Sequence, residues 1–169
     1  ENNIWISHDY KGLFRIVLNS NHTSAEVFKQ YLDTDGMGSQ MPYYIHTLEN
    51  VFFVSTANGF FLYDSHNDEF IPAKELNQFF EGLNVIKALT TDNRGNRWYV
   101  AENKMGFYRL LEDGTYTNIY TPFEQLNSMM NDSYEHIYIY DVDNVYIASE
   151  KGLIHYDPSV NKNFFHTMY

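Results

Sequence analysis

The stretch "DNRGNRWYVAENKMGF" (residues 92–107) surrounds a Trp-Tyr-Val centre with Asp, Asn and Gly. Such a segment is either a ligand-binding or catalytic loop, or the turn and strand of a hairpin. Recurrence separates the two, because a turn can repeat and decay from copy to copy while a catalytic loop cannot.

The pattern recurs. Gly12, Gly59, Gly106 and Gly152 lie 47, 47 and 46 residues apart, and an apolar run follows each: "LFRI" from Leu13, "FFLY" from Phe60, "FYRL" from Phe107 and "LIHY" from Leu153. Ahead of each glycine an aromatic is followed by Val or Ile and then by Ser or Ala. These are Trp5-Ile6-Ser7, Phe53-Val54-Ser55, Tyr99-Val100-Ala101 and Tyr146-Ile147-Ala148. A fixed period in the 40s marks a repeat architecture, and a propeller blade is the β-rich unit of that length.

Each repeat reads as four strands. The first is "YYIHT" (43–47), "IKALT" (86–90) or "HIYIY" (136–140); the second is the aromatic-Val/Ile-small run; the third follows the glycine. The fourth is "EVFKQY" (26–31), "DEFIP" (68–72), "YTNIY" (116–120) or "KNFFHTMY" (162–169). The middle strands are apolar on both faces, as a sheet buried on both sides requires. A Ser or Ala two places after the aromatic shares its face and leaves room for a large neighbour. Helical spacing appears only in "SAEVFKQYL" (24–32) and "AKELNQFFEGL" (73–83), both read as single turns between blades. The chain therefore reads as all-β: a β-propeller fragment of about four blades, four-stranded and antiparallel, with a 46–47 residue repeat. The blades fall at approximately 1–42, 43–84, 85–130 and 131–169, and the first is incomplete because it opens at a second strand.

On this frame "DNRGN" joins a first strand to a second, and Asp, Asn and Gly are the residues that tolerate positive φ in tight hairpins. The equivalent turns, "LEN" (48–50) and "DVDN" (141–144), keep the Asn but lose the Asp-Gly pairing. That decay is the behaviour of a turn.

Composition narrows the function. Twenty-two acidic against 11 basic residues give a formal charge of −11, which disfavours nucleic acid and anionic membrane surfaces. With no cysteine, disulfide and thiolate chemistry are excluded. No apolar run approaches the roughly 20 residues of a membrane span, so direct membrane insertion by this fragment is not expected. The chain opens on Glu1 without Met and reads as a segment of something longer.

With its repeats assembled, the chain resembles the two-component regulator propeller repeat. The matching residues are Asp92, Gly95, Asn96 and Trp98 in a "D-x-x-G-N-x-W" pattern, "NIWIS" at 3–7, and third strands ending in "YDS" (63–65) and "YDP" (156–158). "GLNVIKALTTD" (82–92) is similar to the family's lead from one blade into the next. The resemblance implies the periplasmic sensor region of a hybrid two-component system of Bacteroides-type gut bacteria: the extracytoplasmic part of an inner-membrane protein, sensing a carbohydrate. It also implies further blades in the parent chain, since seven blades of this length need roughly 325 residues. The family often has two glycines before the third strand, and here each copy has one.

In a propeller, the loops joining second to third strands lie on one rim. Here they are His8-Asp9-Tyr10-Lys11, Thr56-Ala57-Asn58, Glu102-Asn103-Lys104-Met105 and Ser149-Glu150-Lys151. Polar and varied between copies, they suit an asymmetric polar ligand such as an oligosaccharide. His8, Tyr10, Glu102 and Lys104 are the candidate ligand-binding residues. Short hairpin loops on any surface are also polar and variable.

No catalytic, cofactor or metal site is expected. The seven His are scattered without ligand spacing, and "DTDG" (33–36) begins like a calcium loop but lacks the downstream acidic ligands. "TTDNRGNRW" superficially resembles the Asp-box turn of sialidases, yet a glycosidase needs two carboxylates at a set separation. Asp64 and Asp157 recur at one blade position and so read as turn-makers. Three readings follow: a non-catalytic sensor that relays to a kinase outside this chain, a protein-interaction scaffold, and a propeller glycosidase. The open edge of the Trp5 strand would pair with another copy or fray, so a homodimer is one expectation.

Overall fold

The computed structural model describes residues 3–38, 40–130 and 135–158, with the backbone of 165–167. Of the expected fourth strand 162–169, all but those three residues lie outside the described residues. Two compact units divide the chain, Glu1–Val85 and Ile86–Tyr169. Among the described residues, the strands form four antiparallel sheets, two in each unit.

In the first unit, β1 (Asn3–His8), β2 (Gly12–Leu18) and β3 (Ala25–Tyr31) make a three-stranded meander. The strands β4 (Tyr44–Leu48), β5 (Val51–Thr56), β6 (Gly59–Asp64) and β7 (Glu69–Pro72) make a four-stranded one, followed by the short helix α1 (Lys74–Phe79). The second unit holds β8 (Ile86–Thr91), β9 (Arg97–Ala101), β10 (Lys104–Leu110) and β11 (Tyr116–Ile119) in one sheet. Its other sheet is β12 (His136–Ile139), β13 (Val145–Ser149), β14 (Gly152–Tyr156) and β15 (Phe165–Thr167). A 3-10 segment, Thr121–Met129, links the two. All four aromatic-Val/Ile-small segments lie in the strands expected second: β1, β5, β9 and β13.

Local chemistry sets the hairpins. Between β4 and β5, Glu49 and Asn50 both take positive φ (49° and 65°), the two-residue turn whose twist matches antiparallel strands. At the β8–β9 turn, Asp92 is buried and accepts hydrogen bonds from the N–H groups of Arg94 and Asn96 (2.9 Å each), from Asn96 Nδ2 (2.8 Å) and from Trp98 Nε1 (3.1 Å). Asp141 organises the β12–β13 turn in the same manner, taking the Asp143 N–H at 2.9 Å and Asn144 Nδ2 at 3.0 Å. The opening stretch is thus a turn, and Asp92 ties it to the core.

Within each unit the two sheets pack face to face. The core of the first is built on Leu13, Tyr31, Val54, Phe61 and Phe70, with Trp5 packed against it. The core of the second centres on Trp98, Phe107, Phe123, Ile147 and Ile154. Phe123, fully buried, comes from the 3-10 segment.

Three expectations are corrected. The single turn read for 24–32 gives way to the fourth strand expected at 26–31: residues 25–31 form β3, because pairing Tyr31 opposite Leu13 buries both completely. Gly106 does not open a third strand as Gly12, Gly59 and Gly152 do. The hairpin partners are His8/Gly12, Thr56/Gly59, Ala101/Lys104 and Ser149/Gly152, so Gly106 lies two places further along. It sits there because a Cβ would come within 2.7 Å of Ile119 O and Tyr99 Oη. By this register Trp98, not Tyr99, is the counterpart of Trp5, Phe53 and Tyr146. Third, Lys104 and Met105 belong to strand β10 rather than to a loop, and Met105 is fully buried. The helical spacing in 73–83 does give α1. Asn77 docks it on β6, accepting from the Phe60 N–H (3.0 Å) and donating to Phe60 O (2.9 Å).

Candidate functional site

The hairpin tips between second and third strands carry the residues singled out from the sequence. His8 ends β1, and its Nδ1 accepts a hydrogen bond from the Tyr10 N–H at 3.1 Å. Thr56 and Ser149 stand at the same register position and do likewise: Thr56 Oγ1 accepts from Asn58 N–H (3.0 Å) and Ser149 Oγ from Lys151 N–H (3.3 Å). An imidazole therefore replaces a hydroxyl in a recurring turn. The rings of His8 and Tyr10 meet edge-on at 6.3 Å, and Tyr10 is 85% exposed.

Glu102 and Lys104 form the corresponding tip in the second unit. Glu102 is exposed at φ 49°, and Lys104 is half-buried opposite Ala101. His8 meets Tyr10 in the first unit, while Glu102 and Lys104 share one hairpin tip in the second. Other tip residues are engaged locally: Asn58 Nδ2 bonds Gly38 O, and Lys151 Nζ donates to Ser128 O at 2.5 Å.

Concave surface lies elsewhere. In the first unit a groove of about 940 Å³ is lined by Asn3, Trp5, His46, Asn50, Phe52 and Tyr63 among others. A smaller recess of about 240 Å³ in the second unit has Asn96, Trp98, Arg109, Asp143 and Tyr156 in its wall. Both set an Asn and a Trp of one sheet against a Tyr of the next. Trp5 stacks on Phe52 at 4.9 Å with 19° between the planes. Aromatic walls with a few convergent polar groups can hold a polar ligand. Sequence reasoning missed these residues as a site. Their signal was the spacing Asn-x-Trp at Asn3–Trp5 and Asn96–Trp98, with Tyr63 and Tyr156 each four places after a hairpin glycine.

The charged centre of the first unit is Asp68. Its Oδ1 accepts from the hydroxyls of Tyr31 and Tyr63 (2.6 Å each) and its Oδ2 from Lys29 Nζ (2.7 Å), with Arg15 Nη2 at 3.3 Å. Burial pushes the carboxyl up, but the bonds from Lys29, Tyr31 and Tyr63 and the Arg15 charge outweigh it, holding Asp68 well below the usual carboxylate range. Burial and the bond to Asp68 raise the Tyr31 hydroxyl far above its ordinary value. With its acceptor sites occupied, Asp68 joins the two sheets and is not free to act as a base. In the second unit Lys87 and Glu135 form a buried ion pair at 3.1 Å, and Lys87 Nζ also donates to Met130 O.

The "DTDG" segment is a single wide turn, Asp33–Met37. Asp35 Oδ2 accepts from the Leu32 N–H at 2.7 Å, and a Cβ on Gly36 would lie 2.0 Å from Phe70 O. Its acidic residues thus shape a turn that the neighbouring strand packs against. Among the described residues no three His, Asp or Glu gather as a metal set, and no helix is long and apolar enough to cross a membrane.

No family model and no curated protein matches the chain. Solved structures do. One is the extracellular domain assigned to the hybrid two-component system BT4673 from B. thetaiotaomicron, at TM-score 0.57 and 21% identity over 96% of this chain and 19% of that one. Another structure of the BT4673 extracellular domain, there assigned to a one-component system, matches at TM-score 0.54 and 20% identity, over 96% of this chain and 20% of that one. The chain thus shares their fold and spans about a fifth of their length.

Proposed function

We propose that the chain is part of a β-propeller in the periplasmic sensor region of a hybrid two-component signalling protein, and that it recognises an oligosaccharide without catalysing a reaction. The observation carrying this reading is the likeness of 96% of the chain to an extracellular domain assigned to such a system. The exposed Tyr10 ring offers a stacking face for a sugar, and His8, Glu102 and Lys104 offer hydrogen bonds to its hydroxyls. Binding alters how this segment packs against the rest of its polypeptide or a second copy, and a kinase elsewhere in the protein reads the change.

Calorimetric titration of the parent protein's extracellular region with plant and host oligosaccharides tests the proposal. Saturable micromolar binding that is lost in Tyr10→Ala supports recognition at the tips. An intact region that binds no oligosaccharide overturns it and favours a protein-interaction scaffold.

A further inference from the structure

The chain has four arginines, at 15, 94, 97 and 109, and they divide into two pairs. Arg15 donates to the Tyr63 hydroxyl and lies 3.3 Å from Asp68 Oδ1, and Arg97 covers the Tyr116 ring at 4.3 Å. These two serve packing. Arg94 and Arg109 do not. Arg94 Nη1 stands 3.9 Å from Asp143 Oδ1, beyond hydrogen-bond reach, and the Arg109 guanidinium lies 5.6 Å from the centre of the Phe107 ring. Neither guanidinium has a hydrogen-bond acceptor among the described residues.

Both line one place, the recess of about 240 Å³ between the two sheets of the second unit. Trp98, Phe107 and Tyr156 line it as well, and Asp143 completes the wall. Burial raises the Tyr156 hydroxyl above its ordinary value while the Arg109 charge pulls it down, so the guanidinium faces that ring. Donors held beside packed aromatic rings act on a charge more strongly than the same donors in open water.

The repeat does not account for Arg109. Counted from the hairpin partners Gly12, Gly59, Lys104 and Gly152, the equivalent residues are Val17, Asp64, Arg109 and Asp157. Asp64 shapes the turn after its strand, accepting from the His66 N–H (2.9 Å) and from Asn67 Nδ2 (2.7 Å). Arginine carries donors alone and cannot do this. In the turn that follows Arg109 the task passes to Asp113, which accepts from the N–H and hydroxyl of Thr115 at 2.9 and 2.6 Å. Arg109 is thus a charge reversal within the repeat, released from the turn and exposed at the recess.

We infer that this recess holds a sugar residue bearing one carboxylate, of the uronic-acid class, with the oxyanion on Arg109 and Arg94 and a ring hydroxyl on Asp143. The planar fork of arginine matches a carboxylate with two parallel hydrogen bonds. Asp143 accepts from a hydroxyl but repels a second negative charge. The formal charge of −11 opposes densely charged ligands further. A single carboxylate among hydroxyls meets all three conditions. The inference rests on the oligosaccharide reading above and adds the class of sugar and the place that holds its charge.

Calorimetric titration of the full-length parent protein tests it, with galacturonate, glucuronate and sialate oligosaccharides each set beside its carboxyl-reduced, neutral counterpart. At least one acidic sugar is expected to bind about tenfold or more tightly than its reduced form. Arg109→Gln should abolish that preference and leave the neutral affinity unchanged, and Arg94→Gln, at a second exposed site, should reduce it. Neutral sugars that bind as tightly as acidic ones, or a preference that survives Arg109→Gln, overturn the inference and leave oligosaccharide recognition standing. Sodium sulfate that binds as tightly as the best sugar acid also overturns it, since the recess would then take any oxyanion. Binding of no sugar at all, acidic or neutral, overturns both readings.

Discussion

Trp98 stands edge-on to Tyr156 at 5.2 Å, while its indole N–H donates to the buried Asp92 carboxylate at 3.1 Å. One side chain thus joins two sheets by its ring and anchors a hairpin turn by its nitrogen. Trp98→Ala removes both and leaves a cavity, so a loss of about 3–5 kcal/mol is expected from urea unfolding. Tyr140→Ala, at a site 71% exposed, should stay within about 0.5 kcal/mol in the same assay.

Asp92 separates shape from hydrogen bonding. Asp92→Ala strands the N–H groups of Arg94 and Asn96 and the Trp98 indole, a loss of about 2–4 kcal/mol. Asp92→Asn keeps one oxygen acceptor and should recover part of that loss. Equal destabilisation by both variants, measured by thermal unfolding, would show that the carboxylate's charge rather than its geometry holds the turn.

The Asp68 network should make stability depend on pH. Its carboxyl is held below its unfolded value, so its contribution is complete above about pH 4 and is lost as pH falls through the lower folded value. Asp68→Asn should therefore destabilise the protein near neutral pH by about 1–2 kcal/mol, a modest figure because the group is partly solvent-screened. The gap between variant and parent should narrow as the medium is acidified below that range. Urea midpoints across pH 7 to about 2.5 measure it; a gap that widens on acidification would contradict the assignment.

Asn77 holds α1 against β6 with two hydrogen bonds, to Phe60 N–H and Phe60 O, and donates a third to Ala73 O at the start of its own helix. Asn77→Ala should cost about 1–3 kcal/mol, and Gly59→Ala should be as harmful, since its Cβ would sit 2.3 Å from Asn77 Oδ1 at φ 108°. Hydrogen exchange would show the loss in α1 first. Uniform loss across the first unit would mean that the helix is not a separable element.

His8 allows turn formation and recognition to be separated. Ser at this position repeats what Ser149 does in its own hairpin, so His8→Ser should leave the unfolding midpoint nearly unchanged while weakening the oligosaccharide binding proposed above by about tenfold, one lost hydrogen bond. Tyr10→Ala should be equally silent in stability. Weakened folding without any change in binding would confine His8 to the turn.

Much of the strand order was legible because its signals are local. Short apolar runs bounded by Gly, Asn and Asp predicted second, third and fourth strands that appear in sheet after sheet. The third repeat misled, since glycine was treated as one signal when it serves two purposes. Gly12, Gly59 and Gly152 supply positive φ at a hairpin, whereas Gly106 makes room for Tyr99 in mid-strand. The same slip displaced Lys104 into a loop and matched Tyr99, instead of Trp98, to Trp5. Residues 25–31 carry two signals, and the strand expected at 26–31 forms over the competing helical spacing because its ladder buries Tyr31 against Leu13.

The candidate tips could be named from the chain because a hairpin places its own residues; His8 and Tyr10 need nothing distant to meet. The clefts could not, because Trp5 and Tyr63 are 58 positions apart and become neighbours only when two sheets stack. From composition and period alone come an all-β chain, its four sheets and the turns between their strands. Folding adds which glycine turns and which packs, the stacking of one sheet on the next within each unit, and the convergence of Arg15, Lys29, Tyr31 and Tyr63 on Asp68. The division has a physical cause. Strand and turn preferences act within a few residues, while register and burial minimise the free energy of surfaces that meet across the whole fold.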